Sequence, residues 1–145
     1  MSVFTPVPES VLADWLKDYA IGRLVELEGI SAGVQNSNFF VTTTLGRYVL
    51  TLFEGIPRAE LPYYLHLMAH LSRHGLPVPG PIANRHNEYL GTLQERPAAL
   101  VVRLSGRSEM SPGLAHCGRV GAMLAGLHLA GQSYGRRQEN PRGAA

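Results

Sequence analysis

Polar and apolar residues alternate over much of residues 24–54, and this pattern predicts three β-strands. The strand-like runs are LVELEGI, FFVTTT and RYVLTLFE, which are rich in Val, Thr, Phe and Tyr. The polar segment SAGVQNSN separates the first two runs, and a two-residue turn at Leu45 and Gly46 separates the last two. Successive side chains of the third run point to opposite faces: one face carries Tyr48, Leu50 and Leu52, and the other carries Val49, Thr51 and Phe53.

Apolar residues at helical spacing predict three helices, over residues 8–19, 59–73 and 112–130. A proline near the first turn of the first helix is harmless there, because its missing N–H would have no partner within the helix. The third helix is expected to be capped by Ser111, with Pro112 at its first position.

Two further strands are predicted between the second and third helices. NEYLGTL is typical of a short strand, which follows a turn at residues 84–87, and Arg96-Pro97 is expected to break the chain after it. The run AALVVRL over residues 98–104 is almost continuously apolar, as in a central strand that is covered on both faces. It leads into a glycine-containing segment, where unpaired backbone groups at the strand end can hold a flat ligand.

The polar segment between the first two strands is a candidate binding loop. It carries Gly33, and its end offers the hydrogen-bonding side chains of Asn36, Ser37 and Asn38. Such a loop can bring backbone N–H groups close to a phosphate, because a glycine has no side chain to intervene. Hairpin loops also use Gly and Asn for turn geometry alone, so both interpretations stay open at this point.

The second helix carries two further candidates. His66, His70 and His74 recur every four residues, but a helical wheel places them opposite the apolar stripe, with no Cys or acidic residue among them. A solvated polar face is therefore expected rather than a metal site. Glu60 opens this helix, where a carboxylate is favourable beside the N-terminus and can also point back toward the sheet.

Composition and charge narrow the class of protein. The chain has 145 residues, which suffices for one modest domain with a core, and its formal net charge is +2. The excess comes from Arg136, Arg137 and Arg142 against Glu139, so the body of the chain is neutral and gives no basis for nucleic-acid binding. No apolar run is long enough to cross a membrane and the N-terminus lacks a signal-peptide pattern, so a cytoplasmic protein with no membrane partner is expected. The single Cys117 excludes an intrachain disulfide and a multi-cysteine zinc site.

The order of these elements, with four longer runs, resembles the homoserine kinases of the aminoglycoside-phosphotransferase-like family, which has the protein-kinase-like fold. The runs are LEGISAGVQNSNFFVTTTLGRYVLTLFE, ELPYYLHLMAHLSRHGLPVPGPI, RPAALVVRLSG and HCGRVGAMLAGLHLAG. The resemblance implies an α+β fold: the protein-kinase-like N-terminal lobe, with a five-stranded antiparallel sheet, a helix before the sheet and a helix after strand three. A further helix would start the C-terminal lobe.

The same resemblance implies a division of the chain. Residues 1–104 would form the nucleotide-binding lobe. Residues 105–130 would be a linker and the first helix of an otherwise absent C-terminal lobe, and residues 131–145 a polar tail that is expected to be disordered.

The resemblance also implies an activity. Kinases of this family transfer the γ-phosphoryl group of ATP to an alcohol, which here would be the side-chain hydroxyl of L-homoserine, giving O-phospho-L-homoserine in threonine biosynthesis. Mg²⁺ accompanies ATP, and its ligands are expected in the absent lobe. Two alternatives stay open: a kinase for another small alcohol, such as an amino sugar or a choline-like compound, and a non-catalytic module that binds a nucleotide or a partner protein.

Positions carried over from the family mark a nucleotide site. The loop over the phosphates would comprise Ser31, Ala32, Gly33, Val34 and Asn36. The segment that holds adenine would comprise Val101, Val102, Arg103 and Leu104, and Glu60 falls where the second helix offers a carboxylate. Thr51 stands where kinases of this fold usually place a lysine, and the only lysine, Lys17, lies in the first helix.

The catalytic groups of such kinases belong to loops that follow the last helix of this chain: one Asp near the attacking hydroxyl, and an Asn and another Asp for Mg²⁺. The only aspartates here, Asp14 and Asp18, lie in the first helix and cannot replace them. No catalytic residue, and no turnover, is therefore expected from these residues alone.

The last helix leads to a first testable prediction. In the kinase fold its apolar side would pack against further helices; the residues concerned are Cys117, Val120, Met123, Leu124 and Leu127. We expect them to form an exposed apolar patch through which the chain self-associates. Light scattering at high protein concentration and binding of a hydrophobic dye measure this, and a strictly monomeric chain that binds no dye contradicts it.

Overall fold

A five-stranded antiparallel sheet dominates the computed structural model, which describes residues 4–139. Its strands stand in the order β1-β2-β3-β5-β4, and the predicted α+β fold with this sheet is confirmed. The elements are α1 (Glu9–Trp15, continued by a 3₁₀ turn over Leu16–Asp18), β1 (Leu24–Gly29), β2 (Asn36–Thr43), β3 (Gly46–Phe53), α2 (Leu61–Arg73), β4 (Gly91–Leu93), β5 (Arg96–Val102) and α3 (Leu114–Gly131).

The two faces of the sheet have different environments. Along β2, buried and half-buried residues alternate without exception, as a period of two requires. The core-facing side chains pack with α1, and the fully buried ones include Leu12, Leu50 and Leu52. The opposite face, which carries Thr51 of β3, is half-buried. The predicted division of the third strand into an apolar core face and a second face is therefore confirmed.

The connections between strands differ from the prediction in two places. Gly46 is the first residue of β3, so Thr44 and Leu45 form the turn that was predicted one residue later. The turn between β4 and β5 consists of Gln94 and Glu95, whose φ angles are 50° and 60°. Two-residue hairpins favour φ > 0 at both positions, and here two residues other than Gly or Asn adopt it. Arg96-Pro97 therefore begins β5, and the expected break at this dipeptide is wrong.

The start of α3 also differs from the prediction. The N-cap is Gly113 rather than Ser111, and Pro112 precedes the helix. The backbone N–H of Gly113 donates to Nδ1 of His116 at 3.1 Å, so a side chain from the first turn satisfies the cap residue.

The histidine face of α2 is less solvated than predicted. His66 is half-buried, with its ring 5.2 Å from that of Tyr89, and burial is the main cause that lowers its pKa. His70 has Nε2 2.9 Å from the carbonyl oxygen of Ala130 in α3. Only His74 of the three is exposed. The helical wheel identified the face opposite the leucines correctly, but another part of the chain covers most of it.

The segment after α3 continues this contact with α2. The Tyr134 hydroxyl donates to the carbonyl oxygen of Tyr63 at 2.8 Å, and the Gln138 amide donates to the Tyr64 hydroxyl at 3.1 Å. Residues 132–139 form no helix or strand, and Tyr134 and Gln138 among them contact α2. The disorder expected for the tail stays a prediction. The remainder of that predicted tail, residues 140–145, lies outside the described residues.

The outer side of α3 is exposed along its whole length. Val120, Met123 and Leu124 are 51%, 40% and 46% exposed, as the predicted apolar patch requires, and no residue of the helix is buried. His128, which was expected in a core or an interface, is exposed as well. Among residues 4–139, no helix combines the length and the apolar character needed to cross a membrane.

The central position of β3 leads to a stability prediction. Leu50 is 0% exposed, so Leu50→Ala should leave a cavity and lower the free energy of unfolding by about 2–5 kcal/mol. Leu129→Ala is the matched control, because that leucine is 67% exposed and its loss should change stability by less than about 0.5 kcal/mol. Urea unfolding followed by circular dichroism measures both; equal effects of the two substitutions would contradict the assignment of the core.

Candidate functional site

The loop between β1 and β2 lies at one end of the sheet, where it joins Gly29 to Asn36. It is held at its base by a backbone hydrogen bond from Ile30 N–H to the carbonyl oxygen of Asn38, at 2.9 Å. Gly33 has a φ of +127°, a conformation that side-chain-bearing residues rarely adopt. A Cβ built at Gly33 would meet only Nδ2 of Asn38 within 4 Å, at 3.5 Å. The glycine is therefore required by backbone conformation, and the space beside it is open to a ligand.

The end of this loop lies next to the position where a lysine was expected. The Thr51 hydroxyl donates to Oδ1 of Asn38 at 2.8 Å, and Nδ2 of Asn38 contacts the carbonyl oxygen of Asn36 at 3.4 Å. The register explains this arrangement, because Asn38 of β2 pairs directly with Thr51 of β3. The structure thus brings Asn36 and Thr51 together through Asn38. The period-two pattern of β2, which places Asn36 and Asn38 on one face, was the signal for Asn38.

Two residues of the predicted adenine segment, Val101 and Arg103, lie on the same sheet face, whereas strand alternation places Val102 on the opposite one. Val101 pairs with Val49 of β3, and the guanidinium carbon of Arg103 lies 3.7 Å from the ring centroid of Phe40. Phe40 shares its face of β2 with Asn38, so Arg103 extends over the sheet on the side of Thr51. Sequence reasoning did not select Phe40 for the site, although its position two residues after Asn38 indicates that face.

The backbone of this segment is more fully paired than the sequence suggested. The N–H of Val102 donates to the carbonyl oxygen of Gly80, and the N–H of Arg103 donates to that of Arg47, at 2.9 and 3.1 Å. These two donors are engaged within the chain, in contrast to the unpaired groups expected at the strand end. A cavity of about 200 Å³ lies beyond them, between Arg47, Arg103 and Leu104, with Ser105 and Gly106 completing its wall.

Glu60 lies at the start of α2. It is the N-cap residue of α2, is half-buried, and makes no side-chain capping hydrogen bond. Its backbone N–H donates to Pro57 and its carbonyl accepts from Tyr63, at 3.0 and 3.2 Å. Within residues 4–139, no hydrogen bond or ion pair joins its carboxylate to Thr51. The structure thus joins Asn36 and Thr51 through Asn38 but shows, among residues 4–139, no such bond to Glu60.

The donor set of the site suits a phosphate-bearing ligand better than a metal ion alone. The polar side chains beside the loop, Asn36, Asn38 and Thr51, are neutral, whereas Mg²⁺ is usually held by carboxylates and phosphate oxygens. In the described part of the chain, no group of three or more His, Cys, Asp or Glu side chains is arranged to hold a metal. The loop and the open space beside Gly33 fit a phosphate, so a metal here would have to arrive with the ligand's own oxygens.

The chain matches an established protein family over most of its length. Residues 26–144 match the model of the phosphotransferase enzyme family. Homoserine kinase from Burkholderia multivorans is 52% identical over 142 residues, and homoserine kinase from Paraburkholderia xenovorans is 51% identical over 142 residues. Each comparison covers 98% of this chain and 43% of the relative, so the chain spans less than half the length of the curated relatives that it matches.

Two solved structures share the fold. A spectinomycin phosphotransferase, determined with ADP and spectinomycin, aligns with a TM-score of 0.69 over 87% of this chain and 39% of its own, at 14% sequence identity. An amicoumacin kinase, determined with AMP-PNP and Ca²⁺, aligns with a TM-score of 0.68 over 92% of this chain and 42% of its own, also at 14% identity. The protein-kinase-like N-terminal architecture predicted for the chain is thereby confirmed.

Proposed function

The chain belongs to the phosphotransferase enzyme family, and we propose that it is the nucleotide-binding part of a cytoplasmic kinase that phosphorylates the side-chain hydroxyl of L-homoserine. The product would be O-phospho-L-homoserine, an intermediate of threonine biosynthesis. The observation that carries the nucleotide site is the loop around Gly33, whose open side lies beside Asn38 of the pair with Thr51. The acceptor is supported by the homoserine kinases that are 49–52% identical to this chain.

In the proposed complex, the loop residues cover the phosphates. Backbone N–H groups around Ser31, Ala32, Gly33 and Val34 would face the phosphate oxygens, since a loop of this kind forms a concavity that attracts anions. The side chains of Asn36 and Thr51 would face the phosphates from the side of the sheet. Because Thr51 carries no charge, charge compensation must come from Mg²⁺ and from groups other than a strand lysine.

The adenine ring would lie on the half-buried sheet face beside residues 101–104. Val101 supplies an apolar surface there. The stacked pair of Phe40 and Arg103 limits the space for the adenine ring on one side. Glu60, at the start of α2, is proposed to offer its carboxylate to the nucleotide site.

Transfer of the γ-phosphoryl group needs further groups. An Asp that accepts the proton of the acceptor hydroxyl, and carboxylate or amide oxygens for Mg²⁺, are the parts that phosphoryl transfer requires. We propose that they belong to protein beyond residues 1–145 and that these residues alone bind ATP without turnover. Self-association through α3 stays a prediction, supported by the exposure of Val120 and Leu124.

The loop assignment is tested by Gly33→Val. The added side chain and the strained φ should hinder phosphate approach, so ATP binding measured by titration calorimetry should weaken by about tenfold or more. Gly75→Val is the matched control, because Gly75 also has a positive φ, of +78°, with open space around it, but lies just after α2. Similar ATP affinity in the two variants would contradict the loop assignment.

The kinase assignment is tested with a chimera. Residues 1–142 are joined to the remainder of the Burkholderia multivorans homoserine kinase, which then supplies the catalytic groups, and ADP release is followed with ATP, Mg²⁺ and L-homoserine. The chimera should turn over L-homoserine, because residues 1–142 supply a compatible nucleotide-binding part, whereas residues 1–145 alone should give no turnover. A folded chimera that binds no ATP, or that binds ATP without turnover of L-homoserine, would contradict the assignment to a homoserine kinase.

A further inference from the structure

One buried hydroxyl joins three separate parts of the chain behind the loop. Ser37 is 0% exposed and faces the core side of β2, one residue after Asn36. Its Oγ accepts the backbone N–H groups of Phe4 and Thr5 at 2.8 and 2.9 Å, and donates to Oε1 of Glu54 at 2.7 Å. A serine hydroxyl has one donor and two acceptor positions, so this side chain is fully satisfied.

The carboxylate of Glu54 extends the network to a fourth segment. Its Oε2 lies 3.1 Å from Nε of Arg96, the first residue of β5, and the Glu54 side chain is only 15% exposed. The backbone N–H of Glu54 points to Oδ1 of Asn36 at 3.4 Å. Hydrogen bonds to a charged and largely buried group are among the stronger ones, so the network constrains the positions of all four segments.

This network stands directly behind the end of the loop. A cavity of about 290 Å³ lies between Phe4, Glu54 and the loop residues Val34 and Asn36. The core face of β2 holds Ser37, and the next residues on the opposite face, Asn36 and Asn38, belong to the candidate site. A shift of β2 at Ser37 would therefore move the site side chains on either side of it.

We infer that Ser37, braced by Glu54, is a positioning residue that fixes the loop relative to the sheet so that its backbone faces the phosphates. This inference rests on the proposed nucleotide site, but it concerns residues that do not touch the ligand. The N-terminal segment acts as part of the brace, because two of its N–H groups end on the same oxygen.

The test compares phosphate-dependent with phosphate-independent binding. Ser37→Ala leaves two partly buried N–H groups and one carboxylate oxygen without their partner, so ATP affinity should fall by roughly tenfold while adenosine affinity stays within about twofold. Hydrogen exchange of the amides of residues 31–36, measured without ligand, should become faster. A residue that only stabilises the fold would not change the ratio of ATP to adenosine affinity.

Thr43→Val is the matched control. Thr43 is the other buried polar residue of β2, and its hydroxyl donates to the carbonyl oxygen of Ile21 at the end of the strand remote from the loop. This variant should lower the midpoint of thermal unfolding but leave loop exchange and the affinity ratio unchanged. Glu54→Gln, which keeps the acceptor oxygen but removes the charge, is the second variant if Ser37→Ala fails to fold, and should give a smaller change in the same direction.

The outcomes separate the two proposals. Loop exchange or an affinity ratio that is unchanged in Ser37→Ala, or in Glu54→Gln where Ser37→Ala does not fold, overturns the positioning role. Equal changes in the ratio for Ser37→Ala and Thr43→Val overturn it too. A wild-type protein that binds neither ATP nor adenosine overturns the proposed function, and loop exchange alone then decides whether Ser37 fixes the loop.

Discussion

In β2 and β3, successive side chains point to opposite sides of one sheet. This constraint places each residue of the two strands either on the core face or on the face of the candidate site. Phe39 and Leu50 pack in the core with α1, so their neighbours Asn38 and Thr51 must face the other side. The antiparallel register then places Asn38 opposite Thr51. A slip of one residue would bury the asparagines and expose the core, which makes this register costly to change.

Beside the loop, the face that results is polar without being charged, and the cation of Arg103 stands further along it, over Phe40. Asn38 and Thr51 satisfy each other, and the position that usually carries a lysine in this fold supplies only a hydroxyl. Recognition of an anion there depends on backbone N–H groups and on the metal that accompanies the ligand, rather than on a strand cation. Since backbone groups act only when they are correctly directed, the orientation of the loop matters more here than in a site with a mobile ammonium group.

Much of this arrangement could be predicted from the sequence, because strand period and helical spacing are local. The turn at Gln94 and Glu95 could not, since both residues adopt φ values that sequence patterns associate with Gly and Asn. The covering of His70 depends on Ala130, and the satisfaction of Ser37 depends on Phe4, which lies 33 residues away. Such long-range contacts leave no periodic signal, so the candidate loop could be located from the sequence while the residues that hydrogen-bond behind it could not.

The contacts between α2 and the end of α3 couple the two helices. Tyr134 holds α2 at Tyr63, near its start, and Ala130 meets it at His70, two turns further along. Gly126 adds a close approach, because a Cβ there would stand 3.1 Å from Leu76, just beyond α2. The two helices are thereby linked at several points. A displacement of α3 would therefore be transmitted to α2 and to Glu60 at its start.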